Sequence, residues 1–142
     1  MAPLPEHTPK RLSLGSLETE ILQLLWQIGT TTAKAIHTEI LADPDRELAY
    51  ASVTTVLNRL AQKGWVKAHK KGRSFYWEAL VSEKNAQILN AHDRLQQFLA
   101  VGNPDIVAAF ADSLDSRSLE QIEAIAERIR AVRAQRGDDL CI

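Results

Sequence analysis

A chain of 142 residues suffices for one domain, or for a small domain with an appendage. Its formal net charge of −1 excludes any nucleic-acid role argued from bulk charge, so such a role has to rest on how the charge is distributed. One cysteine, Cys141, excludes an internal disulfide framework, and neither a signal-peptide core nor a run of about eighteen apolar residues is present. The chain therefore reads as a soluble cytoplasmic protein with no membrane partner, in keeping with the reducing cytosol that a lone thiol fits. Charge is divided unevenly. From Lys10 to Val81 ten cations stand against seven anions, and from Ser82 to Ile142 seven stand against ten. This asymmetry suits one part that faces nucleic acid and another that packs on protein.

Residues 1–11 carry three prolines and no periodicity, and read as a flexible lead-in. Ser16 is a suitable N-cap, with Glu18 and Glu20 placed at the positive end of a first helix. Leu17, Ile21, Leu24, Leu25 and Ile28 mark that helix, and Gly29 closes it. Thr31 or Thr32 caps a second, with Ala33, Ile36, Ile40 and Leu41 on its inner side. Asp43-Pro44-Asp45-Arg46 breaks it.

The stretch from Leu48 to Trp77 has no Asp or Glu and holds six of the Lys and Arg residues. Val53, Val56, Leu57, Leu60 and Ala61 recur at the spacing of one buried helical face. Opposite them stand Ala51, Ser52, Thr54, Thr55, Asn58, Arg59 and Gln62, with Lys63 at the end and Gly64 suited to a left-handed cap. Two short strands, WVKAHK and FYWEAL, follow around a Lys71-Gly72-Arg73-Ser74 turn. Helix, helix, helix, strand, strand is the order of a winged helix over residues 12–81. A third helix with short polar groups outward fits a DNA major groove. Ser52, Thr54 and Thr55 could meet base edges and Asn58 a base or a phosphate, while Arg59, Lys63, Lys70, Lys71 and Arg73 hold phosphates. The bland alternatives are a merely solvated helix face and a hairpin tip charged to keep its edge from pairing.

Beyond Leu80 only helical patterns appear, giving a helical region over 82–136 and a tail over 137–142. Ser82 can cap a helix carrying Ile88, Leu89, Leu95, Phe98 and Leu99, which Gly102 ends. Asn103 and Pro104 open the next, with Ile106, Val107, Phe110 and Leu114 along it. A polar break from Asp115 to Ser118 precedes Leu119, Ile122, Ile125, Ala126 and Ile129. Helices this short are marginal alone. They either fold back on the N-terminal core or pair with a second copy. A homodimer is the better expectation, because a two-fold protein suits an inverted-repeat DNA site. The expected seam is Leu95, Phe98, Leu99, Ile106, Val107, Phe110, Leu114, Leu119, Ile122, Ile125 and Ile129.

Metal and catalytic readings find little footing. His7, His37, His69, His92 and Cys141 are scattered without ligand spacing, and no phosphate loop, nucleophile motif or carboxylate cluster appears. No cofactor is expected. Trp26, Trp65 and Trp77 fall on apolar faces and read as core packing rather than base-stacking platforms. The competing class is a winged-helix protein–protein interaction module, whose basic face would meet an acidic partner.

The runs Ile21–Trp26, Ser52–Leu60, Lys63-Gly64 and Gly72–Tyr76 resemble the penicillinase-repressor family (BlaI/MecI/CopY type). The resemblance covers roughly Leu12 to Ile129, and is specific in the first half and looser in the second. It implies a dimeric winged-helix repressor that reads an operator of dyad symmetry with its third helix. Trp77 stands where the family usually has Tyr, and Ala79 where Pro is common. Resistance repressors of the family are inactivated by an antirepressor protease, and the equivalent bond here is Ala109–Phe110, without the usual preceding Asn. Copper-type members end in a C-x-C pair, whereas this chain ends with the single thiol of Cys141.

Overall fold

The apolar periodicities fold into α1 (Ser16–Ile28), α2 (Ala33–Ile40) and α3 (Tyr50–Lys63), followed by β1 (Val66–Lys71) and β2 (Ser74–Ala79). Three more helices complete the chain: α4 (Glu83–Leu99), α5 (Pro104–Ser113) and α6 (Ser116–Gln135). The computed structural model describes residues 7–100 and 103–137, so the expectations for Gly102 and Cys141 lie outside the described residues. The architecture is mainly α with one antiparallel hairpin, in winged-helix order. It divides within α4 into two compact units, one through Asp93 and one from Arg94.

In the first unit α1, α2 and α3 bury Ile21, Leu22, Leu25, Ile36, Val53, Leu57 and Leu60 around Trp65. Two residues of the expected stripes are not in this core. Ile28 is the last residue of α1 and Leu41 is the C-cap of α2, so both point past the packed turns and stay exposed. Leu22 takes the core position instead. The N-cap of α1 is Gly15 rather than Ser16, and the Glu18 carboxylate accepts the Gly15 backbone N–H at 3.3 Å. Thr32 caps α2 by accepting the Ala35 N–H at 3.1 Å. Gly64 ends α3 at φ 89°, ψ 20°. Its N–H reaches the Ala61 carbonyl and that of Trp65 reaches Leu60, the paired bonds of a Schellman cap.

The wing is tighter than the sequence indicated. Lys71 and Ser74 pair with each other, leaving only Gly72 and Arg73 in the loop, while Trp65 and Leu80 fall outside the strands. Gly72 takes φ 67°, the left-handed value that two-residue hairpin loops require. Thr31 fastens the wing to the core by exchanging two backbone hydrogen bonds with Trp77, at 2.7 and 3.2 Å.

Residues 7–11 are not a free lead-in. The last carbonyls of a helix lack intrahelical partners, and here an extended segment supplies them. The Lys10 N–H donates to the Lys63 carbonyl at 2.7 Å, and His7 Nε2 lies 2.7 Å from the Gly64 carbonyl. In return the Trp65 indole donates to the Arg11 carbonyl at 2.9 Å.

The first unit also extends past residue 81, the boundary the sequence indicated. Ser82 caps α4, and Ala86 and Leu89 join the winged-helix core, so the first turns of α4 belong there. In the second unit Asn103 and Asp115 cap α5 and α6. Helix α6 starts at Ser116, which shortens the expected polar break to one residue, because Asp115 accepts the Ser118 N–H at 2.7 Å. That bond holds the Asp115 carboxyl below its ordinary value.

Candidate nucleic-acid interface

The buried stripe of α3 dictates which residues face outward, and these form two rows at a spacing of four. Tyr50, Thr54 and Asn58 line a cleft of about 710 Å³ that also meets Lys34 of α2 and Arg73 and Phe75 of the wing. Ala51, Thr55 and Arg59, with Ser52 beside them, line a second groove of about 360 Å³ edged by Leu17 of α1. The two rows are the i±4 ridges of one helix. Their hydroxyls are not equivalent. Thr54 donates to the Ala51 carbonyl at 2.9 Å, which leaves its oxygen lone pairs and methyl for a ligand. The Ser52 and Thr55 hydroxyls have no hydrogen-bond partner among the described residues, so each offers both a donor and acceptors.

The cations sort into free and tethered sets. Lys34, Arg59, Lys70, Lys71 and Arg73 have no carboxylate partner among the described residues. Lys63, also expected to hold a phosphate, does have one. Its ammonium sits 2.8 Å from one Glu18 oxygen and 3.0 Å from the other, and donates to the Ser13 carbonyl at 2.9 Å. It joins the foot of α3 to the start of α1. Arg46 makes a two-pronged bond to Glu20, at 2.6 and 3.1 Å, and that hydrogen bond raises its already high pKa. Glu20 is thus occupied by Arg46 rather than by the end of α1.

Strand alternation divides the wing. Lys70 pairs with Phe75, which lines the cleft. His69 and Lys71 alternate to the other side, where His69 Nε2 lies 2.6 Å from Glu78. Lys34, Tyr50 and Phe75 were absent from the sequence-derived set. Tyr50 carries a signal in hindsight, since it precedes Thr54 and Asn58 at steps of four. Phe75 shares a face of β2 with the core residue Trp77 two positions on, and nothing local marks Lys34. The tryptophans pack inward: Trp65 and Trp77 are buried, and the Trp26 indole donates to the Val81 carbonyl at 2.8 Å. No group of three or more possible metal ligands exists among the described residues.

The second unit is built differently. No residue of α5 or α6 is buried. Leu95, Phe98, Leu99, Ile106, Val107, Phe110, Leu119, Ile122, Ile125 and Ile129 are all exposed, and Leu114 is half-buried. The Phe98 and Phe110 rings meet at 5.1 Å between centroids, beside an apolar hollow of about 290 Å³.

The sequence pattern described as "Penicillinase repressor" matches residues 14–131. The chain belongs to the penicillinase repressor family. Like that family, it is a winged-helix DNA-binding transcriptional repressor and not an enzyme. It is similar to the methicillin resistance regulatory protein MecI of Mammaliicoccus sciuri, 23% identical over 116 residues that cover 82% of this chain and 92% of that one. An uncharacterized 16.5 kDa protein in the ptsI 3' region of Latilactobacillus sakei is 25% identical over 95 residues, or 67% of this chain. That match spans 64% of the relative's own length, under two thirds. Among solved structures, the DNA-binding domain of the repressor BlaI aligns over 55% of this chain and 93% of its own, with a TM-score of 0.47 and 22% identity. A MarR family protein from Bacillus stearothermophilus aligns over 78% of this chain and 76% of its own, with a TM-score of 0.43 and 19% identity. In this penicillinase-repressor chain no helix among the described residues is long and apolar enough to cross a membrane.

Proposed function

We propose that the protein acts as a homodimer that occupies an inverted-repeat operator, with α3 of each copy in a major groove. The observation that carries this reading is the outward face of α3, short polar groups beside cations of α2, α3 and the wing that have no carboxylate partner among the described residues. Ser52, Thr55 and Asn58, with the Thr54 methyl, meet base edges, where hydroxyls and amides discriminate and a methyl packs on thymine. Arg59, Lys70, Lys71 and Arg73 hold phosphates, which positions the helix and adds salt-dependent affinity. Repression follows from occupancy of a promoter, with no covalent step on DNA.

The uncovered apolar residues of α4, α5 and α6 support pairing, since helices in proteins draw most of their stability from packing an apolar face. A second copy would cover them and set two reading helices about 34–36 Å apart, one turn of DNA. Cleavage at Ala109–Phe110 by an antirepressor protease would first require α5 to unwind, because that bond lies inside the helix and nicking favours exposed loop tips.

A gel shift with genomic fragments and excess competitor DNA at moderate salt tests the proposal. A retained complex on selected fragments, with two chains per duplex, is the expected result. Equal binding to all fragments, or none, would instead favour a docking module for an acidic protein.

A further inference from the structure

The cleft between α3, the start of α2 and the wing holds residues that base and phosphate reading by α3 leaves unused. Tyr50 and Phe75 carry large rings, yet they are 50% and 55% exposed and both stand on its walls. Neither is loosely placed. The Tyr50 ring packs edge-on against His37, 5.8 Å between centroids, and His37 Nε2 lies 2.6 Å from the Leu48 carbonyl. Phe75 is held by hairpin register opposite Lys70. Lys34 and Arg73 border the same cleft without a carboxylate partner among the described residues. Rings and unpaired cations on the walls of one cleft match a polymer that carries both apolar sugar faces and phosphates. At about 710 Å³ the cleft falls within the size range of ligand sites. It is continuous with the base-reading surface through Thr54 and Asn58, which form one of its sides.

We infer that this cleft seats the sugar–phosphate backbone of one DNA strand, with Tyr50 and Phe75 against deoxyribose and Lys34 and Arg73 on the adjoining phosphates. The inference rests on the operator reading above and adds Lys34, Tyr50 and Phe75 to it as positioning residues. Backbone contacts orient a protein without carrying sequence information. The three residues therefore govern affinity for all duplexes, while Ser52 and Thr55 govern the preference among them. The two kinds of contact also separate by salt: cations release counterions, and rings do not.

The test measures the dissociation constant of the full chain against salt concentration, on a selected operator duplex and on a random one. Phe75→Ala should weaken both by about tenfold, the scale of uncovering half an aromatic side chain, with the salt slope unchanged. Phe75→Tyr should bind as the parent does, separating loss of the ring from any change in the hairpin. Lys34→Gln should flatten the slope by about 0.9, the value of one phosphate. Parental affinity in Phe75→Ala, or a parental slope in Lys34→Gln, overturns the inference. Thr55→Ala distinguishes the two levels of failure. If it loses preference for the operator while the cleft variants bind normally, only the cleft assignment is wrong. If the parent protein itself shows no preference, the operator reading falls with it.

Discussion

Three side chains on and around α3 differ in what else they touch, and the proposed reading gives each a different part. Thr55 touches no hydrogen-bonding partner among the described residues, so its hydroxyl and methyl are both free for a base edge. Thr55→Ala should lower the ratio of operator to random affinity by about 1–3 kcal/mol for each half-site, measured by competition binding. Arg73, at the wing tip without an ion pair among the described residues, should behave oppositely. Arg73→Ala should weaken all duplexes alike and flatten the salt slope by about 0.9. Lys63 looks equivalent in the sequence, but its ammonium is committed to Glu18 and Ser13. Lys63→Ala leaves the buried Glu18 carboxylate without its cation and held only by the Gly15 N–H, and should cost about 2 kcal/mol of stability, less than for a fully buried pair. Its salt slope should stay parental. Denaturant unfolding alongside the binding series checks both halves of that statement. The partner of Lys63 lies 45 residues away in sequence, which is why spacing alone could not show the pair.

At the scale of elements, helix and hairpin order was legible because each signal is local: an apolar stripe, a cap, a glycine at a turn. Gly64 is the clearest case, its left-handed φ of 89° following from its place at the end of the α3 pattern. Gly64→Ala should cost about 1–2 kcal/mol from that conformation alone. A β-carbon there would also approach Pro9 Cα to 3.2 Å. A lower unfolding midpoint with unaltered operator preference is the expected result. What was not legible depended on distant partners. Glu18 moved the N-cap of α1 to Gly15, and Ala86 and Leu89 carried the first unit into α4. The cleft residues Lys34 and Phe75 became visible only once α2 and the wing stood beside α3. Helix α6 offers a test in pH. The Asp115 carboxyl is lowered by the Ser118 hydrogen bonds, so its contribution is fully present above its unfolded value and is lost as pH falls through the folded one. Asp115→Asn keeps a capping acceptor and should remove that part of the acid loss of helicity, followed by circular dichroism.

The two units of the whole molecule face opposite physical problems. The first has a closed core around Trp65 and an open polar face. The second has short capped helices whose apolar residues nothing within the unit buries. Ile122, 47% exposed on α6, serves as a test of pairing. Ile122→Lys should shift sedimentation to the mass of one chain and reduce affinity for a full inverted repeat by at least about a hundredfold, the loss expected when two linked binding events become one. A dimer that survives this change, and a second charge at Ile129, would place the seam elsewhere. The pairing expectation came from the oily pattern of the C-terminal half and from the symmetry of an inverted-repeat site, and sedimentation of these variants is what tests it.

The strap formed by residues 7–11 bears on how the protein is handled. Trimming the chain back to Leu12, an obvious economy for crystallisation, would strip the acceptor from the Trp65 indole and the Lys10 donor from the foot of α3. An affinity tag fused ahead of that strap should be cleaved, or spaced by a neutral linker, before any DNA affinity is taken as native.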